Sequence, residues 1–147
     1  MLRSFSHRGM DQPELSVGHL AAQQAYEQAG LGPEDMHVAE VHDASAMGEI
    51  LQAENLGFAP FGGAGPAAER GEFTVGGRIP INPSGGLESK GHPLGATGIG
   101  QLYELVTQLR GEAGKRQVEG ARNAIQENGG GMQGIEEAAV AIHILSR

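Results

Sequence analysis

The sequence predicts an α/β fold in which helices cover a mixed β-sheet. Segments of strand composition alternate with segments that repeat apolar residues at helical spacing. The last segment, AAVAIHIL (138–145), is nearly continuous in apolar residues, as expected for a central strand. A chain of 147 residues suffices for one core but not comfortably for two, so we expect a single domain over residues 1–147.

Three helices are predicted from apolar spacing and from their end signals. The first spans 14–29, is entered through Pro13 and stops at Gly30. The second spans about 45–56 and ends at Gly57, and the third ends near Gly111. The residues expected to face inward are Val17, Leu20, Ala21, Ala25 and Ala29 in the first helix, Met47, Ile50 and Leu51 in the second, and Ile99, Leu102, Tyr103, Val106 and Leu109 in the third.

Strands are predicted over 2–7, 38–41, 79–82, 122–127 and 138–145. Pro80 lacks an N–H group and therefore indicates an unpaired edge in the third of these. The Gly-, Ala- and Pro-rich stretch 58–77 is predicted to be a loop with one helical turn around Ala67, and 128–134 a turn between the last two strands.

Composition excludes several functional classes. A net charge of −8 argues against binding to nucleic acid or to an anionic membrane surface. The absence of cysteine excludes disulfides, zinc ribbons and thiol catalysis within this chain. No apolar run approaches the roughly 20 residues of a membrane span, and the N-terminus lacks the apolar core of a signal peptide. We expect a cytoplasmic protein without a bound metal or cofactor.

Three short segments at predicted strand ends could carry chemistry. In HDAS (42–45), Asp43 or Ser45 is a natural helix cap, and His42 is then merely adjacent. In NPSGGLESKGHPLGATG (82–98), His92 could act as a general base; a phosphate-binding loop is the competing interpretation, but the Lys-Ser/Thr pair of such loops is missing. ENGGGMQG (127–134) is either a flexible turn or a source of backbone N–H groups for an oxyanion hole.

The order and spacing of these segments resemble the C-terminal half of the thiolase family. GHPLGATG is similar to the family's Gly-His-Pro loop almost letter for letter, and LRGEAGKRQV (109–118) resembles the sterol-carrier-type subgroup, which carries His-Asp where biosynthetic thiolases carry Asn-Glu. The resemblance covers essentially the whole chain. It implies half of a five-layered α/β/α/β/α fold and a coenzyme A thioester as substrate.

The resemblance also implies roles for individual residues. His92 would accept the proton of a nucleophilic cysteine carried by the N-terminal half, which this chain lacks. His42 would bind the thioester oxygen or orient a water that does so. Gly129 and Gly130 would lie at the turn whose N–H groups stabilise a tetrahedral intermediate.

The sequence departs from the family at the second cysteine, the acid/base for the substrate α-carbon. The two positions where that cysteine is found in the family correspond here to Glu127 and Ala44. Glu127 could replace the missing base if burial raises its pKa; otherwise it is a solvated structural residue. Without either cysteine, Claisen condensation or cleavage by the usual route is not expected of this sequence.

Two hypotheses follow. In the first, the chain is one subunit of an oligomeric acyl-CoA acyltransferase, and a thiolase N-terminal-half polypeptide supplies the cysteine. An OB-fold protein is a further candidate partner, although related aldolases with such a partner carry tyrosine in place of the loop histidine. A small-residue face at Gly95, Ala96, Thr97, Gly98 and Gly100 would accept a partner helix. In the second, the chain is a non-catalytic thiolase-like binding or scaffold module.

Overall fold

The computed structural model describes residues 12–133 and 136–147, which form a three-stranded sheet flanked by helices. The strands are β1 (Val38–Glu40), β2 (Asn123–Gln133) and β3 (Glu136–Ser146). The α-helices are α1 (Val17–Ala29), α2 (Ala46–Asn55), α3 (Ala64–Glu69), α4 (Gly86–Lys90) and α5 (Thr97–Arg110), and short 3-10 helices occupy Pro13–Leu15, Pro33–Asp35 and Gly114–Arg116. The predicted strand 2–7 lies outside the described residues.

The sheet is mixed, in the order β1-β2-β3. β1 runs parallel to β2 from Val38↔Ala124, and β2 pairs with β3 as an antiparallel hairpin. The predicted strand 79–82 is reduced to one parallel bridge, between Ile81 and Ala39. Asn82 follows with φ at +50°, which turns the chain away from the sheet.

Alternation along the strands divides the core into two clusters. On one face, Ala39, Val41 and Ile125 pack with apolar residues from α1, α2, α3 and the segments around them. On the other, Val38 and Ala124 pack with side chains from α5, including Leu105 and Leu109, and with Val118, Ala121 and Leu145. Full burial of one such aliphatic side chain contributes about 1.5–3 kcal/mol. The prediction of a mixed sheet covered by helices is confirmed.

The helix ends are largely those that the sequence predicts. The Ser16 hydroxyl accepts a hydrogen bond from the His19 N–H (3.2 Å) at the start of α1, and the Ser45 hydroxyl accepts one from the Gly48 N–H (3.1 Å) at the start of α2. α1 ends at Gly30 (φ +67°), and α5 ends at Gly111 (φ +76°). The helical turn predicted around Ala67 is α3.

The predicted orientation of the second helix is largely wrong. Met47 and Leu51 are 64% and 51% exposed, while Ile50 packs partly against the core. The buried side chains of α2 include Gln52 and Glu54 instead. The Glu54 carboxylate accepts a hydrogen bond from the N–H of Ala64, and Gln52 bonds a carboxylate of β3.

In α5, too, the outward face is apolar. Ile99 and Tyr103 are 68% and 73% exposed, and the buried positions include Gln101, Glu104 and Gln108. Their side chains are satisfied internally: Gln101 bonds β2, Glu104 bonds Arg116, and Gln108 bonds the backbone around the last 3-10 helix. Periodicity locates the apolar face of a helix but does not show what covers that face. The prediction that Ile99 and Tyr103 face the core of this chain is therefore wrong.

The predicted turn at 128–134 is also wrong. β2 continues through the glycines to Gln133, and its pairing with β3 runs from Asn123↔Ser146 to Gln133↔Glu136. Gly131 adopts φ at +66° within the strand, a conformation that glycine tolerates. The long antiparallel partner β3 provides hydrogen-bond partners for the backbone of the glycine-rich segment, so this segment forms a strand although its composition is typical of a turn. β2, not the apolar segment 138–145, is therefore central in the described sheet, and β3 lies at its edge.

Candidate functional site

Polar side chains beside β1 hold the segment after Asn82 against the end of that strand. The Asn82 amide oxygen accepts a hydrogen bond from the Val41 N–H (2.8 Å). The Asp43 carboxylate accepts one from the Leu87 N–H (2.7 Å) at the start of α4, so it does not cap the helix that follows it in sequence. Gly86 makes this approach possible, because a Cβ there would lie 1.8 Å from an Asp43 carboxylate oxygen.

A buried carboxyl group makes a third tie. Glu40, fully buried on β1, accepts hydrogen bonds from the Ser84 N–H (3.2 Å) and hydroxyl (2.7 Å), and Lys90 lies 3.8 Å away. Burial raises the pKa of Glu40 to about 7, with Ser84 and Lys90 opposing the shift. Together the three ties fix the loop that carries His92 relative to the strand that leads into His42.

The two predicted histidines are adjacent. Their ring centroids are 4.8 Å apart, and the rings are tilted by 48°. His92 Nδ1 lies 2.7 Å from the Thr97 hydroxyl oxygen, which itself lies 3.3 Å from the Pro93 carbonyl. Donation of the single hydroxyl proton to the Pro93 carbonyl leaves the Thr97 oxygen to accept a hydrogen bond from Nδ1–H of His92, and we assign that tautomer to the ring. The neutral ring therefore keeps its basic lone pair on Nε2.

Glu127 lies beside His42, as a site containing both would require. Its carboxyl group is fully buried and accepts a hydrogen bond from the His42 backbone N–H (2.9 Å). Burial raises the pKa of Glu127 to about 8; the negative charge of Glu137 acts in the same direction, and the His42 N–H opposes it. A carboxyl group with this pKa is largely protonated at neutral pH, so Glu127 is not a solvated structural residue.

A second carboxylate contacts the same histidine. Glu137 Oε1 lies 3.3 Å from His42 Nδ1, and both oxygens of Glu137 accept from the Gln52 amide at 3.1 Å. Among the described residues, three buried side-chain atoms find no hydrogen-bond partner in the chain: His42 Nε2, Glu127 Oε1 and Asn128 Oδ1. Unpaired buried polar atoms are costly, and two of these three belong to His42 and Glu127, which are in contact, so this position indicates a place built to contact a ligand.

The two predicted oxyanion glycines differ in their surroundings. Gly129 is buried opposite Val140, and a Cβ there would lie 1.8 Å from a Glu137 oxygen, so its missing side chain makes room for that carboxylate. Gly130 is exposed, and its nearest Cβ neighbour would be the Ala139 carbonyl at 3.9 Å. Both glycines lie within a strand and not in a turn.

Sequence reasoning missed several residues of this site. Glu137 and Gln52 carried no signal, because a charged residue at a strand start and a glutamine in a helix are ordinary. Thr97 carried a weak one: a hydroxyl five residues after a histidine, at a helix start. Glu40 carried a clearer one, since a carboxylate inside a buried strand needs partners.

Two properties concern the described part of the chain only. No cluster of three or more His, Asp or Glu side chains there is arranged to hold a metal ion. No helix in the described ranges is long and apolar enough to cross a membrane.

The site can be compared with known proteins. A family profile described as "Thiolase C-terminal domain-like" matches residues 3–147. The chain belongs to this thiolase family. It is 57% identical to sterol carrier protein 2 of Rattus norvegicus over 108 residues, which are 74% of this chain and 20% of that protein. It is 52% identical to an acetyl-CoA acetyltransferase of Methanothermobacter thermautotrophicus over 127 residues, 86% of this chain and 32% of the relative.

Two further similarities are to a thiolase subunit and to a solved aldolase. The thiolase-family chain is 42% identical to "Benzoylsuccinyl-CoA thiolase subunit BbsB" of Thauera aromatica over 115 residues, 78% of this chain and 30% of that one. Its fold matches a solved "Ltp2-ChsH2(DUF35) aldolase" with a TM-score of 0.71 and 26% identity, covering 88% of this chain and 31% of the other. The chain thus spans between a fifth and a third of these relatives, and the resemblance seen in its motifs is confirmed.

Proposed function

We propose that this chain is the C-terminal half of a thiolase-like acyl-CoA acyltransferase, and that a separate N-terminal-half polypeptide supplies the nucleophilic cysteine. The observation that carries the proposal is the convergence of His42, His92 and Glu127 at one place, with unpaired buried atoms on two of them. The chain itself contains no cysteine. A coenzyme A thioester is the substrate that the family resemblance favours.

His92 acts as the base for the partner's thiol. Thr97 holds its Nδ1 proton, so Nε2 is free to accept the thiol proton and produce the reactive thiolate. The ring is exposed, as a group that must meet a residue of another polypeptide should be. General-base assistance of this kind contributes about 10²–10⁴-fold to the rate.

His42 orients a water toward the thioester oxygen. Its Nε2, which is buried and unpaired in the chain, accepts a hydrogen bond from one O–H of the water, and the other O–H donates to the thioester oxygen. A donor placed in a site of low dielectric stabilises the developing negative charge of a tetrahedral intermediate without having to reorganise. Gly129 and Gly130 remain candidates for additional backbone donors, with Gly130 the exposed one.

Glu127 replaces the family's second cysteine as acid/base for the substrate α-carbon. Its raised pKa is close to the operating pH, which is the condition for efficient proton transfer in both directions. In cleavage, the Oε1 proton would pass to the α-carbanion as the carbon–carbon bond breaks. In condensation, the ionised carboxylate would remove the same proton.

The partner docks on the outer face of α5. Ile99 and Tyr103 are exposed there, and Leu94, 85% exposed, extends the apolar surface into the preceding loop. Beside them, α4, α5 and the last 3-10 helix line an open cleft of about 430 Å³. The occupant that fits is the remainder of a thiolase, because the chain covers only a fifth to a third of its relatives. The similarities to a protein named as a thiolase subunit and to the Ltp2-ChsH2(DUF35) aldolase support a complex of several polypeptides, and an OB-fold protein is a further candidate partner.

The test is purification of the tagged chain from its host, followed by native mass and thioester assays. We expect a stoichiometric polypeptide of thiolase N-terminal type, whose cysteine becomes acetylated when acetyl-CoA is added, as read by intact mass. His92→Ala should lower that acetylation rate by about 10²–10⁴-fold. Ile99→Ser should weaken the complex, while Val75→Ser, an exposed apolar residue outside α5, should not.

A complex that forms but never acylates its cysteine would favour the alternative, a non-catalytic thiolase-like module. A chain that remains alone at all concentrations would contradict the split-enzyme proposal.

A further inference from the structure

The contact between Glu137 and His42 plays no part in the roles proposed so far. Glu137 reaches His42 from β3, and Gln52 on α2 binds both of its oxygens, so the carboxylate is held from two sides. Both side chains of the pair are mostly buried, with 14% of His42 and 18% of Glu137 exposed. An exposed ion pair contributes little to stability and fixes neither side chain, but this pair is mostly buried and its carboxylate is restrained by Gln52.

The chemistry of the pair fixes the ring. An ionised carboxylate only accepts hydrogen bonds, so Nδ1 of His42 must be the donor. With Nδ1 engaged, Nε2 is the atom left for other contacts, and it is the buried atom without a partner. An acidic partner on one imidazole nitrogen sets both the orientation of the ring and the role of the other nitrogen.

The backbone is shaped for this contact. Any side chain at position 129 would collide with Glu137, since a Cβ there would lie 1.8 Å from Oε1 and 2.2 Å from the carboxyl carbon. At position 130 the nearest atom would be 3.9 Å away. The missing side chain of Gly129 on the central strand therefore leaves the space that the Glu137 carboxylate occupies.

We propose that Glu137, held by Gln52 and accommodated by Gly129, is a positioning residue that keeps the proton on His42 Nδ1 and leaves the Nε2 lone pair to accept from the water that donates to the thioester oxygen. The inference rests on the proposed function for its catalytic meaning, but the geometry is testable on the chain alone. The titratable groups that face His42 are Glu127 from β2, Glu137 from β3 and His92 from the loop before α5.

The test is ¹⁵N–¹H correlation spectroscopy of the imidazoles in the full chain near pH 7.5. His42 is assigned by the signal that His42→Asn removes. We expect Nδ1 of His42 to carry a proton in the wild type and to lose it to Nε2 in Glu137→Ala. Glu137→Gln, whose amide oxygen can still accept, should restore Nδ1 protonation at least partly. Glu119→Ala, which removes an exposed carboxylate elsewhere, should leave the signal unchanged.

A second pair of variants covers the case in which Glu137→Ala fails to fold. Gly129→Ala should displace the carboxylate without removing it and shift the His42 signal in the same direction, whereas Gly130→Ala should not. In the reconstituted complex, Glu137→Ala should lower kcat by about 10- to 100-fold with little change in KM, less than the roughly 10⁴-fold loss seen when a buried aspartate partner of a catalytic histidine is replaced.

Unprotonated Nδ1 in the wild type, or a signal that neither Glu137→Ala nor Gly129→Ala moves, would overturn the inference. A spectrum that behaves as expected in a chain without acyl-transfer activity would instead contradict the proposed function and leave the positioning geometry intact.

Discussion

Replacing Glu127 with glutamine should change how the stability of this chain depends on pH. In the folded chain the pKa of Glu127 is about 8, against an ordinary value of 4.5. Between these two values the unfolded chain has lost a proton that the folded chain retains. Stability contributed by this group is therefore fully present below pH 4.5 and falls as the pH rises toward 8, which is opposite to the behaviour of a salt-bridged carboxylate.

The magnitude follows from the same two values. Each pH unit within the window costs about 1.4 kcal/mol, so the wild type should lose about 2–3 kcal/mol between pH 5.5 and 7.5 through Glu127. Glu127→Gln removes this loss. The variant carries its own penalty, because an amide N–H₂ then occupies the unpaired Oε1 position, at about 1–3 kcal/mol. The variant should be less stable than the wild type at pH 5.5 and equal to it or better above neutrality.

Urea unfolding at several pH values and constant ionic strength measures this directly. Glu40, whose pKa is also raised, contributes a similar slope to both proteins, so the difference between their curves isolates Glu127. Glu119→Gln serves as the control for loss of an exposed carboxylate and should run parallel to the wild type. Parallel curves for Glu127→Gln and the wild type would refute the assignment of a protonated, buried Glu127.

Two further substitutions test how the site is built. Gly86→Ala should destabilise the chain by more than the roughly 1–3 kcal/mol that overpacking alone costs, because the residue has φ at +63° and its Cβ would collide with Asp43. Gly100→Ala, in α5 with open space around it, should be nearly neutral or stabilising. Equal shifts in melting temperature for the two variants would contradict the contact between Asp43 and the start of α4. Ser45→Ala should cost about 1 kcal/mol by removing the α2 cap, measured by urea unfolding, with Ser45→Asp expected to retain most of the stability; an unchanged midpoint in the alanine variant would exclude capping.

Local rules predicted the helix ends well, because a cap or a left-handed glycine acts over one turn. Ser45 and Gly30 show this. Strand pairing was less predictable. The glycines after Glu127 have turn composition, and they belong to a sheet only because the long partner strand β3 pairs Val140 with Gly129 and Ala139 with Gly130.

The residues of the candidate site also fall into those that the sequence could predict and those that it could not. His42 and His92 could be placed together because the motif order resembles a known family, and Glu127 could be named because it stands at a position of that family's second cysteine. Glu137 could not, since its importance depends on a missing side chain at Gly129 and on a helix 85 residues away that supplies Gln52. Contacts that join three distant segments leave no trace in local composition.

The polar inner face of α5 has a consequence for assembly. Gln101 bonds the Glu127 carbonyl and the Gln126 amide, while two turns later Gln108 bonds the Arg116 carbonyl and the Val118 N–H. A helix that packs on a sheet through apolar side chains alone can shift or rotate at little cost in free energy. The hydrogen bonds of these two glutamines fix the position of α5 relative to β2 and to the segment 116–118. The outer face of α5 therefore has a fixed orientation before any partner binds. A subunit that docks there meets a preorganised surface and does not have to reorient the helix.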